Sequence, residues 1–492
     1  MKKINITFLL FIVLSAIAFN ASAKHFDVND ANQFNRILKE VMPGDTIVWK
    51  EGSYVDMQLN FSPNNNGSEK KLIVLKASIP GKVIFSGKSQ ILIGGAYLQV
   101  EGFLFQGNCT LENEQHVIDF RSLSKKYAAY SRVTNCAIID YSRTEESAVN
   151  NYFVNLVGNN NEVDHCYFKG KINKGPTLVI EYKQEPGYVP GSDVAPSSYH
   201  HIHHNYFGYR TYTVNGGEQM RVGTSFTSFS HGFNIIEHNY FEDERIEAEV
   251  ISNKSWDNIY RFNSFIGNDG GMVIRHGQKC FVYGNYINGK SGRNLSAGLR
   301  VINPNNTVFN NYVENIEGGD KSLKAAIDIM AGLDGSALNE YYPADNAIVA
   351  YNTVVNSVGP AIKLGIGNAS KGKPFIAPKN VLVAGNLIIN TIGKNTDPIV
   401  ISNADATYSL VNNQYTNGRT KETGFEKIAM SRLDKTGQFF IANSKVEQSI
   451  VVRINERLSI HKIKLSVNEI TRFDPAWIIN KSQVGVSWMN NK

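Results

Sequence analysis

His203-His-Asn205-Tyr-Phe207, Glu237-His-Asn239-Tyr-Phe241, Arg261-Phe-Asn263-Ser-Phe265 and Tyr283-Gly-Asn285-Tyr-Ile287 are four statements of one short phrase. Working outward, it recurs around Phe103, Cys136, Cys166, Asn311, Asn352 and Asn386, with successive centres 33, 30, 39, 34, 24, 22, 26, 41 and 34 residues apart. The tightest spacings define a repeat of about 22 to 24 residues, and the longer ones add loops to it. Each phrase is rich in Val, Ile, Phe and Tyr and is bounded by Gly, Asn or Asp, as strands between turns are. A β-propeller blade needs about 40 residues for four strands, whereas these spacings hold three short strands per turn. The expected fold is all-β, a single-stranded right-handed parallel β-helix. An Asn at one place in successive coils bonds backbone and the next Asn, which offsets the cost of burying it.

At 492 residues the chain is too long for one ordinary core, but a solenoid grows by adding coils. Residues 1–23 run Met-Lys-Lys, an apolar stretch from Ile6 to Phe19, then Ala21-Ser22-Ala23, the three regions of a cleavable signal peptide. Lys24 rather than Cys follows, so no lipid anchor is expected, and no later stretch has the roughly 18 apolar residues of a membrane span. The expectation is export to the periplasm or beyond, without membrane insertion. The net charge of +6 falls to +4 once Lys2 and Lys3 leave, too little to point to nucleic acid. Of the four cysteines, Cys136 and Cys166 hold the ladder position, where a small buried thiol packs well, so unpaired structural roles are expected.

Asp30–Val41, with Phe34, Ile37, Leu38 and Val41 on one helical face, reads as an N-terminal capping helix, and Gly44–Tyr54 as the first strand and turn. The β-helix then spans 24–412 with its cap. Residues 413–492, including the alternating Ser449–Asn455 and the closing Phe473-Asp-Pro-Ala-Trp477, form C-terminal strands and an irregular tail packed on the solenoid.

Counting from the ladder gives the polar residues addresses. Asn215 is ten after Asn205 and Glu249 ten after Asn239, with Glu247 two earlier. Neighbouring parallel strands lie about 4.8 Å apart, so two carboxylates and an amide carbonyl converge on one face. Such oxygen donors suit a hard cation; Ca²⁺, with six to eight ligands, keeps positions for water and substrate, and Mg²⁺ or Mn²⁺ matches less well. Lys254 lies nine and Arg275 ten before the next ladder Asn, His276 follows Arg275, and Arg300 extends the column. A cationic column beside a cation site suits the successive carboxylates of a polyuronide. Each of these side chains alone reads as ordinary surface; their alignment is what points to a site.

Asn215, Glu247-Ala-Glu249-Val-Ile-Ser-Asn-Lys254-Ser and Val-Ile-Arg275-His276-Gly resemble the metal-binding and catalytic motifs of polysaccharide lyase family 6, the alginate lyase and chondroitinase B family. Asn215-Gly-Gly-Glu218-Gln-Met-Arg221-Val-Gly-Thr-Ser and Gly298-Leu-Arg300-Val-Ile look more like the alginate lyase branch. The resemblance implies that Asn215, Glu247 and Glu249 bind Ca²⁺, that Lys254 is the general base and Arg275 the general acid, and that His276, Arg221, Arg300 and Glu218 meet an alginate chain. A chondroitinase B-like lyase acting on dermatan sulfate is the first alternative. A hydrolase with two carboxyls across the bond and a non-catalytic polysaccharide-binding solenoid are the others. The 23 Tyr and 26 Phe fall mainly in strand phrases and read as core rather than sugar platforms. Mannuronate or guluronate preference, endo or exo cutting and oligomeric state belong to rim loops such as Asn173–Ser198 and Lys321–Asp345, outside the repeat.

Overall fold

The computed structural model describes residues 22–143, 148–183, 188–189, 196–211, 216–245, 247–290, 292, 295–320, 323–368, 372–392, 396–429, 432–441 and 445–489. Each turn of the chain adds one strand to each of three parallel sheets, which contain 14, 14 and 12 strands among the described residues. One turn runs Ile235–Glu237 in the first sheet, Tyr240–Glu242 in the second and Glu249–Asn253 in the third; Ile259–Arg261 then stacks on the first again. The fold is a parallel β-helix.

Register explains why the repeat is apolar at fixed places. In the first sheet Val163, Ile202, Ile236, Tyr260, Val282 and Val308 are successive partners, each at most 1% exposed. In the second sheet Phe207, Phe241 and Phe265 stack with ring centroids 4.7 and 4.8 Å apart. A side chain of this size stabilises by about 1.5–3 kcal/mol when fully buried, and the solenoid repeats that gain at every rung.

The corner between the first and second sheets accounts for the phrase. The residue before each ladder position takes a left-handed conformation: His204 (φ 53°), His238 (53°), Phe262 (56°), Gly284 (65°) and Tyr351 (56°). That residue turns the chain, and the Asn after it bridges rungs. Asn285 donates to Tyr260 O (2.9 Å), Tyr283 O (3.2 Å) and Asn311 Oδ1 (2.9 Å), and accepts from the backbone N and the amide of Asn263, both at 3.0 Å. The ladder runs unbroken from Asn205 to Asn413, one residue past the Asn412 at which it was expected to fade. A second line, from Asn161 through His200 and Asn234 to Asn258, was not legible because His interrupts it. All four cysteines are buried and free.

Both ends depart from the expectation. His25–Val28, ahead of the helix, is the first strand and pairs with Thr46–Trp49, so the sheet begins before Gly44. The helix Ala31–Ile37 is capped by Asp30, which accepts from the backbone of Asn32 and Gln33, and Phe34 packs against Trp49 and Phe61. At the other end, the alternating Ser449–Asn455 is not extended: Gln448–Leu458 is a helix. Its buried Ile450, Val451, Ile454 and Leu458 follow a helical spacing, with Val452, which alternation would have buried, left exposed, and they cover Ile259, Phe281, Phe309 and Ile348 on the outside of the first sheet. The tail continues back along the solenoid until Gly485 N meets His204 O at 2.9 Å and Trp488 Nε1 meets Asn135 O at 3.3 Å. No helix among the described residues is long and apolar enough to cross a membrane.

Candidate active site on the third sheet

Strands Met220–Val222, Glu249–Asn253, Gly271–Ile274, Leu299–Val301, Ile327–Met330 and Ile362–Ile366 follow one another in the third sheet. Val222, Asn253, Ile274 and Val301 are partners in the inner row. The residue after each strand position therefore shares a row too, which brings Lys254 beside Arg275; the backbone confirms it, since Arg275 N donates to Asn253 O at 2.8 Å. Arg300 does not extend that row. It pairs with Val273 and belongs, with Arg221 and Ser252, to the outward row two residues earlier. The rung lengths differ between coils, so an address counted to the next Asn slips by two.

Glu249 reaches the outer face through a β-bulge. Register shifts between Glu249 and Ile251, and both Val250 and Ile251 are fully buried. Strict alternation from Ile251 would turn Glu249 into the core; the extra residue re-aims it outward. There its carboxylate lies 3.5 Å from Arg275 Nε and 3.9 Å from Arg300 Nη1. Gly270 permits this packing, since a Cβ there would come within 2.4 Å of Glu247 O. Glu247 accepts from Gly217 N (3.2 Å) and Ala248 N (2.8 Å). Burial, then the carboxylates of Glu218 and Glu249, push its pKa up. Asn215 and Ile246 lie outside the described residues.

The cations are firmly held. Arg275 donates to Glu340 O (3.0 Å) and Asn339 O (3.2 Å), and its guanidinium lies 4.1 Å from the ring centroid of Tyr341. Arg221 makes two bonds to Glu218, at 2.7 and 3.2 Å. Glu218, only 3% exposed, thus holds Arg221 from beneath. Arg300 donates to Leu323 O at 2.7 Å. Burial, then Arg221, lowers the Lys254 pKa from the usual lysine value, with Arg275 adding to the effect and Glu218 and Glu249 opposing it. His276 is buried, its pKa lowered to about 2 by burial, Arg275 and Lys254, and its Nε2 is 3.2 Å from Ser225 Oγ. It is a neutral imidazole.

Three residues escaped the sequence reading. Tyr341 comes from a loop 66 residues beyond Arg275 and has no repeat address. Arg210, fully buried, donates to Gly217 O (2.5 Å), Gly175 O (2.7 Å) and Asn173 O (3.2 Å), and so fixes the segment leading to Glu218. Asp328 follows Arg300 in its row, with Lys363 next, and could have been found by register once Arg300 was placed. Among the described residues, the part-buried Glu247 and Glu249 lie near the buried Glu218, which is bonded to Arg221, and the donors to Glu247 are two backbone N–H groups. That donor set fits a hard divalent cation.

The outward face of the third sheet thus carries carboxylates, a lysine and three arginines in adjoining rows. The family model described as Chondroitinase B matches residues 28–454, so the chain belongs to that family, whose members are polysaccharide lyases. Among solved structures it is similar to the PL6 family alginate lyase AlyGC, at 30% identity and TM-score 0.78, over 94% of this chain and 58% of that one. The chain therefore spans a little over half of AlyGC. A mannuronic acid specific polysaccharide family 6 lyase from human gut microbiota is 27% identical, with TM-score 0.74, over 94% of this chain and 96% of that one. The PL6 family polysaccharide lyase Pedsa3628 from Pseudopedobacter saltans is 25% identical, with TM-score 0.67, over 86% of this chain and all of that one. No curated protein sequence matches. The family match and these likenesses favour the lyase reading over the hydrolase and the non-catalytic ones.

Proposed function

We propose that this lyase depolymerises alginate by β-elimination, with Ca²⁺ held by Asn215, Glu247 and Glu249, and that it is exported by its signal peptide. The observation that carries the reading is the placement of Glu249 3.5 Å from Arg275, in the row Arg275 shares with Lys254, so that a cation site and a proton-transfer pair share one face. The names of AlyGC and of the gut lyase, alginate and mannuronic acid, support the substrate.

When bound, Ca²⁺ neutralises the carboxylate of the uronate and makes its C5 proton more acidic. Lys254, in its neutral amine form, takes that proton. The electron pair left at C5 forms the C4–C5 double bond, the C4–O bond breaks, and the departing oxygen receives a proton from Arg275. The product is an unsaturated uronate at the new non-reducing end. A positioned base contributes about 10²–10⁴ in rate, and one well-placed donor to the developing negative charge about 3–4 kcal/mol. Arg221, Arg300 and His276 border the same face and bind the neighbouring uronates, with Glu218 orienting Arg221.

The test is ultraviolet absorbance of unsaturated ends from alginate, with and without chelator. Signal on dermatan sulfate but not on alginate would move the assignment to the second reading, favoured by the Chondroitinase B description of the matching family. Reducing ends without absorbance would refute elimination. Mass spectrometry of secreted protein beginning at Lys24 checks the export.

A further inference from the structure

On the outside of the first sheet, a different face from that of Lys254, strands Glu162–Asp164, His201–His203 and Ile235–Glu237 lie side by side. Val163 and Ile202 point into the core, so Glu162 and Asp164, and His201 and His203, point outward. Register sets Glu162 opposite His201, Asp164 opposite His203, and His203 opposite Glu237. One ligand atom from each of Glu162, His201 and His203 lies within 4.8 Å of the other two. His203 Nε2 is 2.8 Å from Glu162 Oε1, and the His201 and His203 rings are 4.2 Å apart. Their side chains are 35%, 42% and 13% exposed, open to an ion from solvent.

The surroundings orient these ligands. His203 Nδ1 faces His204 Nδ1 at 2.9 Å, which fixes its ring. His201 Nε2 faces Glu237 Oε1 at 2.8 Å, and Glu237 is tied to Arg261. Asp164 is taken up by Arg132, Thr134 and His165, so the overlapping group Asp164, His165 and His203 is the weaker candidate. Arg132 Nε approaches Glu162 Oε1 no closer than 3.5 Å. With neutral imidazoles, the three carboxylates of Glu162, Asp164 and Glu237 outweigh Arg132 and Arg261 by one negative charge.

We propose that Glu162, His201 and His203 form a second metal site, for a divalent transition ion of the Zn²⁺ class, joining two adjacent turns of the solenoid. Two imidazoles and one carboxylate select such an ion over Ca²⁺, and leave a fourth position for water.

The test is a Co²⁺ titration of the full chain, free of a polyhistidine tag and stripped by dialysis against chelator. The expected result is saturation at one equivalent with visible ligand-field bands, removed by Zn²⁺ and not by excess Ca²⁺. His203→Gln and Glu162→Gln should each weaken binding by about tenfold or more, while Glu247→Gln retains it. Melting curves show that each variant folds, and His203→Gln should leave turnover on alginate unchanged. Absence of saturable bands in the wild type, titration of both site variants like wild type, or loss of the bands in Glu247→Gln would each overturn the proposal.

Discussion

Replacing Tyr341 by Leu tests whether Arg275 acts from a fixed position. The Arg275 guanidinium lies 4.1 Å from the Tyr341 ring centroid and keeps two further bonds, to the carbonyls of Glu340 and Asn339. Removing the ring leaves those bonds and takes away a cation–π contact of about 0.5–2 kcal/mol. If that energy holds Arg275 at the departing oxygen, kcat falls by about 2- to 30-fold, with a smaller change in KM. Tyr341 also packs with Val273, Ile302, Met330 and Leu333, so lost packing must be separated from lost positioning. Tyr341→Phe serves for that purpose: it keeps the ring and loses only the hydroxyl that accepts from Asn368 at 2.8 Å. Initial rates of absorbance increase on alginate, measured well below the melting temperature of each variant, give the comparison. Unchanged kcat in Tyr341→Leu, or an equal loss in Tyr341→Phe, would refute the reasoning.

Other outcomes follow from the same geometry. Lys254→Ala should cut turnover by about 10²–10⁴ with binding largely kept, as read by kcat and by alginate retention. Because Lys254 works as the free amine and its pKa is lowered from 10.5, the rate should rise with pH and level off below that value. The unfolded chain binds this proton more readily than the folded one, so stability should also rise with pH between the two values, as denaturant midpoints would show. Chelator should abolish turnover, Ca²⁺ should restore it, and the melting temperature should fall on removal because an ion bound only by the folded chain stabilises it. Asn285→Ala removes three donated bonds and strands the donors of Asn263; we expect a loss of about 3–5 kcal/mol in chemical denaturation.

What the sequence determined by itself is what repeats. The ladder Asn and the apolar residues around it recur because each coil meets the same neighbours, so fold and rung order could be read by counting, as could the adjacency of Lys254 and Arg275. The helix at Gln448–Leu458 could not, since Ile450, Val452 and Ile454 alternate in sequence while the first-sheet face at Ile259, Phe281, Phe309 and Ile348 takes up Ile450, Val451, Ile454 and Leu458 instead. The outward face of Glu249 was read by counting from Asn239, but the bulge that puts it there was not, nor was the row of Arg300, set by pairing with Val273. Tyr341 and Arg210 act through loops that obey no period. Tertiary structure decided these because contacts between coils depend on loop lengths and bulges, whereas periodicity records only the contacts that every coil shares.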